Sequence, residues 1–347
     1  MDQRLLERVC NAPGVPGHED AAQEVVAEVL GASCDEVRRD RLGNVIGLKR
    51  AARLPEDREQ PLRVVLAAHV DEIGAMVKHI DDKGFIRFQP LGGLDSQVIV
   101  SQRVVIHGRG PVHGVVAPSM RAGKKDAVTP VQDLLIDTGL PGDALSELVE
   151  VGDVLTFAPE VAVLNDKVYV GRNFDDRIGT YCLLETMNRV GAASVDAYAV
   201  SSVQEEVGVR GMPVAAHAIR PDIGIAIDGS PTWGPYAKPH EKVCALGEGT
   251  GIYLMDGLTI GDRRLVRFLF DLCERHEIPC QRNIGGGTDA SAIQRTRAGA
   301  LSTTVGAPVR HMHSTTQLCH ADDIEATIRL LTAFVEDAHE LLPEPQS

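Results

Sequence analysis

Glu205 and Glu206 close the apolar run 196–204, and Gly208 stands just beyond them. A buried carboxylate is costly unless something offsets its charge, and at a strand end that is often a metal ion or a reacting proton. Other segments end in the same chemistry. The run 62–68 leads into His69, Asp71 and Glu72, 222–227 leads into Asp228, and 300–305 leads toward His311 and His313. Asp175 and Asp176 stand just before a segment of helical pattern. Parallel α/β sheets bind ligands outside the carboxyl ends of their strands, so these five segments are expected to share one edge. Each also has an ordinary reading. Asp175 and Asp176 could cap the helix, His69 could be a hydrogen-bonded strand-end histidine, Asp228 could serve a turn with Gly229, and the two glutamates could be solvated. Those readings do not explain why all five fall together; a metal site does.

Imidazole nitrogen and carboxylate oxygen suit zinc or cobalt, and manganese as well. Two histidines with three or four carboxylates exceed the needs of one tetrahedral ion, whereas two ions roughly 3.5–4 Å apart and sharing a carboxylate would use them all. Asp71 is placed to hold the second nitrogen of His69. Neighbouring side chains of a regular strand point to opposite faces, so Glu205 and Glu206 can both enter one site only where strand has given way to loop. Gly208 and Gly211 favour that break. One carboxylate can then bind metal while the other takes a proton from water. None of the five segments offers a serine or cysteine in a nucleophile setting. The stretch 285–289 (Gly-Gly-Gly-Thr-Asp) lacks the Lys-Ser/Thr of a phosphate loop, which speaks against nucleotide binding; Gly286, Gly287 and Thr288 are read as lining a substrate pocket, with a plain helix-entry turn as the other reading.

The elements that must position these residues follow from the hydrophobic pattern. With 347 residues and 44% hydrophobic content, the chain can bury a large core and is expected to divide into domains. Helix, turn and helix come first, then a strand pair over 37–48 with Gly43-Asn44 at its turn. The run 62–68 is almost wholly apolar, as for a strand covered on both faces. From about 74 to 159 the texture changes to short strands of alternating pattern separated by glycine turns, which suggests a small all-β insertion, a barrel in form. Beyond it, strands and helices alternate again. The expected fold is therefore α/β, with a mostly parallel sheet flanked by helices and an inserted small all-β domain. The division is 1–72 and 165–347 for the two parts of a catalytic domain and 73–164 for the insertion.

A net charge of −14 and a pI near 5.3 speak against nucleic acid or an anionic membrane surface as partner. No apolar run approaches the length of a membrane span, and the first residues lack the pattern of a signal peptide. The seven cysteines are scattered without a C-x-x-C pair and read as reduced thiols, so a cytoplasmic location is expected.

The set His69-Val-Asp71-Glu-Ile-Gly74, Asp175-Asp-Arg-Ile-Gly179, Val203-Gln-Glu-Glu-Val-Gly208, Ala226-Ile-Asp228, Gly286-Gly-Thr-Asp289 and Met312-His313-Ser314 resembles the tetrahedral aminopeptidases. These are two-metal glutamyl, leucyl or lysyl aminopeptidases, some once labelled endoglucanases. The resemblance runs over nearly the whole chain. It implies that Asp175 bridges two divalent ions, that His69 and Asp228 complete one and Glu206 and His313 the other, and that Glu205 is the general base. Asp71 would orient His69. Family members carry an aromatic residue where His311 stands, which favours His313 as the ligand. It also implies a homo-oligomer that dimerises through the insertion, with dimers assembling into a hollow tetrahedral dodecamer. The stretch 246–251 lacks the family's usual Gly-Pro, and Gln317 stands where glutamate is common; neither departure is expected to touch the proposed ligands.

The implied activity is hydrolysis of the N-terminal residue from peptides by a metal-activated water. Three other readings differ in what they require. A metal-independent glycosidase would use paired carboxylates alone, which leaves the histidines unexplained. A non-catalytic metal-stapled assembly protein has no use for a free base beside the ions. A metal-dependent deacylase, carboxypeptidase-like enzyme or other small-amide hydrolase shares the whole ligand set.

Overall fold

In the computed structural model, which describes residues 1–54, 58–118, 128–158, 161–232, 234 and 237–341, the apolar runs form the middle of an eight-stranded sheet. The chain begins with α1 (Gln3–Asn11) and α2 (Asp20–Ser33), then β1 (Glu36–Arg39), β2 (Val45–Lys49) and β3 (Leu62–His69). Asp2 starts α1 by accepting the backbone N–H groups of Arg4 and Leu5, the usual remedy for unpaired donors at a helix start. Next come β4 (Gly74–Ile80), β5 (Phe85–Leu91), α3 (Ser96–Ile99), β6 (Arg103–His107), β7 (Pro111–Pro118), β8 (Leu134–Asp137), α4 (Gly142–Ser146) and β9 (Val154–Phe157). These six strands close into a barrel in the order β4-β5-β8-β7-β6-β9. Its core is its own, with Val77, Ile86, Val104, Ile106, Ile136 and Leu155 all buried.

The second half contains β10 (Ala162–Asn165), β11 (Val168–Gly171), α5 (Phe174–Arg189), β12 (Val195–Ser202), α6 (Gly211–Ile219), β13 (Ile223–Ile227), β14 (Ser230–Thr232) and β15 (Thr250–Met255). It ends with α7 (Arg263–Arg275), β16 (Cys280–Ile284), α8 (Ala290–Gln294), β17 (Leu301–Gly306), β18 (Pro308–Arg310), β19 (Gln317–His320) and α9 (Ala321–Asp337). The large sheet runs β1-β2-β12-β3-β13-β17-β15-β16. Its middle strands β12, β3, β13 and β17 are parallel, whereas β1, β2 and the β17–β15 contact are antiparallel. A smaller sheet, β10-β11-β19-β18-β14, flanks it.

Alternation along β3 explains its unbroken apolar sequence. Val64, Leu66 and Ala68 join the core that includes Phe174 and Ile178 of α5 and Ile324 and Leu331 of α9. Val65 and Ala67 point the other way, to Met212 and Ala215 of α6 and Ile293 of α8. A strand sandwiched in this way has no solvent face to mark with polar residues. Register then brings the strand ends level: Ser202 pairs with His69, and Ile227 pairs with Ala68 and Val305. No described helix is long and apolar enough to cross a membrane. All seven cysteines are unpaired.

Between the N-terminal helices and β3 lies a buried ionic cluster. Glu72 accepts from Arg172 Nε at 2.6 Å and Nη2 at 2.9 Å and from Asn173 Nδ2 at 3.1 Å, with Arg177 Nη2 3.5 Å away. Arg177 ties the cluster to the chain by donating to the carbonyls of Val70, Val9 and Ala12. Removing one partner from such a cluster strands a buried charge, typically at a cost of about 3–5 kcal/mol. Glu72→Gln is therefore expected to lower the denaturant midpoint followed by circular dichroism, by an amount equivalent to about 3–5 kcal/mol.

Candidate metal centre

The strand β12 ends at Ser202, so Glu205 and Glu206 lie in irregular backbone, which the two-carboxylate reading requires. Gln204 and Val209 take positive φ (56° and 53°), and the N–H groups of Gly208 and Val209 both donate to Glu205 O. Four successive amides at the start of this loop are held by side chains from three remote segments. Val203 N–H donates to Asn44 Oδ1 (3.0 Å) and Gln204 N–H to Glu19 Oε1 (3.2 Å). Glu205 N–H and Glu206 N–H donate to the two oxygens of Asp71 (2.9 and 3.0 Å). Asp71 thus has a contact to the glutamate loop that its spacing from His69 did not suggest. Its Oδ1 lies 3.6 Å from His69 Nδ1, and its carbonyl oxygen is nearer that nitrogen, at 3.1 Å.

Asp175 and Asp176, adjacent in sequence, divide the work that either could do. Both have non-helical backbone at the start of α5. Asp176 turns into the helix, where its Oδ1 accepts Gly179 N–H at 3.1 Å, an ordinary cap. Asp175 turns outward to the cleft. Its Oδ1 lies 3.3 Å from His69 Nε2 and its Oδ2 lies 3.2 Å from His313 Nε2. His313 Nε2 is 3.7 Å from Glu206 Oε2. Donor atoms of His69, Asp175 and Glu206 all fall within 4.8 Å of one another.

One cleft of about 400 Å³ is lined by His69, Asp175, Glu205, Glu206, Asp228 and His313. Gly286, Gly287 and Thr288 line the same cleft, as do Tyr253 and Met312. The hydroxyl of Thr288 is committed to Asp256 (3.0 Å) and Thr304 (2.7 Å), so its side chain braces the wall. His311 is exposed and is not among the lining residues.

Electrostatics match a cation seat. Burial, with Asp176 and Asp175 nearby, holds the Asp228 carboxyl well above its usual range. Burial raises Glu205 to about 8 and Glu206 to about 7. Asp175 behaves oppositely: burial opposes its charge, yet hydrogen bonds from His313 and His69 hold its pKa below the usual value. The hydrogen bond to Asp175 lifts His313 to about 9. His69 is also raised, burial being outweighed by its contacts with Asp175 and Asp71. Several carboxylates confined with two imidazoles, one carboxylate shared between both rings, form a donor set that fits divalent cations.

Gly92, Gly93 and Gln317 are among the contributors that were not visible as site residues in the sequence. Gly92 and Gly93, just past β5 of the barrel, pack so closely on two cleft residues that a Cβ on Gly92 would sit 3.3 Å from Glu206 Oε2, and one on Gly93 3.0 Å from His313 Nδ1. Gln317 is a correction to the expectation that the family departures lie away from the proposed ligands. Its Oε1 accepts Asp175 N–H at 2.7 Å, because β19 runs beside β11 and brings Gln317 opposite Gly171, just before α5. For the glycines, a Gly-Gly pair after a strand was the available signal, but it reads equally as a turn.

A model of the M42 glutamyl aminopeptidase family matches residues 43–330. The lysyl aminopeptidase of Pyrococcus furiosus is 33% identical over 353 residues, covering 97% of this chain and 97% of its own. Among solved structures, an aminopeptidase from the archaeon Desulfurococcus kamchatkensis superposes with a TM-score of 0.91 at 31% identity, over 96% of this chain and 94% of its own. The TET1 peptidase of Pyrococcus horikoshii, described as able to assemble into a tetrahedron or a large octahedral shell, superposes with a TM-score of 0.84 at 28% identity, over 96% of this chain and 98% of its own. By the extent of the family match and by a relative alike along almost its whole length, this chain belongs to the M42 glutamyl aminopeptidase family.

Proposed function

We propose that the protein is a two-metal aminopeptidase that removes the N-terminal residue from peptides, with Glu205 as general base. The observation that carries this reading is Asp175 lying between His69 and His313, one oxygen toward each ring, with Glu205 lining the same cleft. In the proposal two divalent ions would be held by His69 and Asp228 on one side and Glu206 and His313 on the other, with Asp175 shared between them. Zinc or cobalt fits this set best, with manganese also suited. Such ions, when bound, supply an electrophile for the scissile carbonyl and acidify water.

The chain's own residues do the rest. Glu205, desolvated and held by Asp71 through its backbone N–H, accepts a proton from the attacking water and returns it to the leaving amine. Asp71 also keeps His69 oriented. Gly286, Gly287 and Thr288 form part of the substrate pocket. Residues 1–72 and 165–347 make the catalytic domain, of two-metal aminopeptidase type with a mostly parallel sheet, and residues 73–164 the inserted β-rich domain. That insertion pairs two subunits, and dimers build a larger homo-oligomer of tetrahedral form. The chain acts in the cytoplasm on peptides rather than on nucleic acid or membranes. A deacylase reading shares the ligand set but finds no separate observation in its favour, and a glycosidase leaves His69 and His313 without a role.

Chromogenic aminoacyl amides offered to the metal-stripped protein should be cleaved only after zinc, cobalt or manganese is restored, and only when the amine is unblocked. Absence of metal-dependent release from every unblocked substrate would sink the aminopeptidase reading. Glu205→Gln should keep its metal content, measured by elemental analysis, while turnover falls ~10²–10⁴-fold.

Metal affinity should also depend on pH with a definite sign. His313 is raised from 6.5 to about 9, so before metal binds the fold holds that proton, and the stability it brings is present below 6.5 and lost as pH climbs through 9. Glu206 holds a proton up to about 7. A cation competes with both protons, so zinc affinity should rise from pH 6 toward 9 and proton release should fall over that span. Calorimetry in buffers of different ionisation enthalpy reads both quantities.

A further inference from the structure

We infer that Asn44 is a positioning residue for the Glu205 and Glu206 loop, acting at the loop's base without touching the metal cleft. Asn44 is fully buried at the turn between β1 and β2. Its side-chain amide spans both ends of the loop: Oδ1 accepts Val203 N–H at 3.0 Å, and Nδ2 donates to Gly211 O at 3.0 Å. Gly211 N–H in turn donates to Val203 O at 3.0 Å, so three bonds close the base. The amide's orientation is fixed from behind, since Nδ2 also donates to Asp40 Oδ2 at 2.6 Å. Asp40 Oδ1 meanwhile accepts the N–H groups of Leu42, Gly43 and Asn44, which makes the turn rigid.

The fit leaves no slack. A Cβ on Gly211 would lie 2.4 Å from Asn44 Oδ1 and 2.4 Å from Val203 O. Within the loop Gln204 and Val209 occupy the left-handed region, which non-glycine residues hold only when their surroundings over-determine it. Glu19 and Asp71 supply part of that determination, but both are carboxylates whose removal would also change the charge around the site. Asn44 is neutral. Replacing it alters the geometry of the loop and leaves the local charge as it was, so its effect on catalysis is an effect of placement. A misplacement of about 1 Å in a catalytic group can cost on the order of 100-fold in rate.

The inference rests on the proposed aminopeptidase activity for its kinetic arm only. The experiment compares wild type, Asn44→Ala and Asn44→Ser, each saturated with cobalt. The Ser variant is neutral and keeps a hydroxyl, but it is too short to span from Val203 N–H to Gly211 O. Expected is a fall in kcat of about 10–100-fold with KM within about threefold, weaker cobalt binding by titration, and faster amide hydrogen exchange at 203–206. Thermal unfolding identifies a variant that fails to fold, and Asn44→Ser then carries the test. Unchanged kcat, unchanged exchange at 203–206, or losses in kcat that merely follow thermal stability would each overturn the inference. If wild type itself shows no metal-dependent aminopeptidase activity, the functional reading fails, and exchange together with cobalt affinity still decides the role of Asn44.

Discussion

Carboxylates repel one another, and this fold gathers Asp175, Glu205, Glu206 and Asp228 around one cleft with two imidazoles. Most of the architecture near the site can be understood as holding that arrangement in place. Left to themselves the side chains would turn to solvent, where desolvation and mutual repulsion disappear. The fold prevents this largely through the backbone. Amides 203–206 are each pinned by a side-chain oxygen, and Asp175 N–H is pinned by Gln317. Anchoring the main chain holds these residues in place without spending the carboxylates of Glu205 and Glu206 on structural hydrogen bonds.

The same logic separates neighbours that look equivalent in sequence. Asp175 and Asp176 are consecutive, yet one is a helix cap and the other faces both histidines. Glu205 and Glu206 are consecutive, yet only Glu206 comes within reach of His313. His311 and His313 are two residues apart, and only the latter lines the cleft. In each case irregular backbone, rather than side-chain identity, decides which role a residue takes.

What could be read from the sequence follows from this. Apolar runs 62–68 and 222–227 announce strands, and the His, Asp or Glu after each announces an edge, because buried parallel strands carry no polar positions of their own. Those features located His69, Asp228 and the glutamate pair. The strand β12 ends earlier than the run 196–204 suggested, and the strand β16 (Cys280–Ile284) went unrecognised because Gln281, Arg282 and Asn283 leave it no apolar pattern. Asn44 and Glu19 were illegible as site supports for a different reason. Each acts on a backbone amide more than 150 residues away, and a backbone amide leaves no trace in residue type. Asn44 therefore read as a turn residue, which it also is. Gln317 escaped because its target is the main chain of Asp175 rather than a ligand side chain.

The approach of Gly92 and Gly93 to Glu206 and His313 has a consequence for how the two cores relate. The barrel has a separate hydrophobic interior, so by packing alone it resembles a detachable module. Its glycine pair nevertheless abuts Glu206 and His313, two of the residues that line the cleft, and there is no side chain there to absorb a change of angle. A shift of the barrel toward the sheet therefore presses main chain, rather than a yielding side chain, against Glu206 and His313.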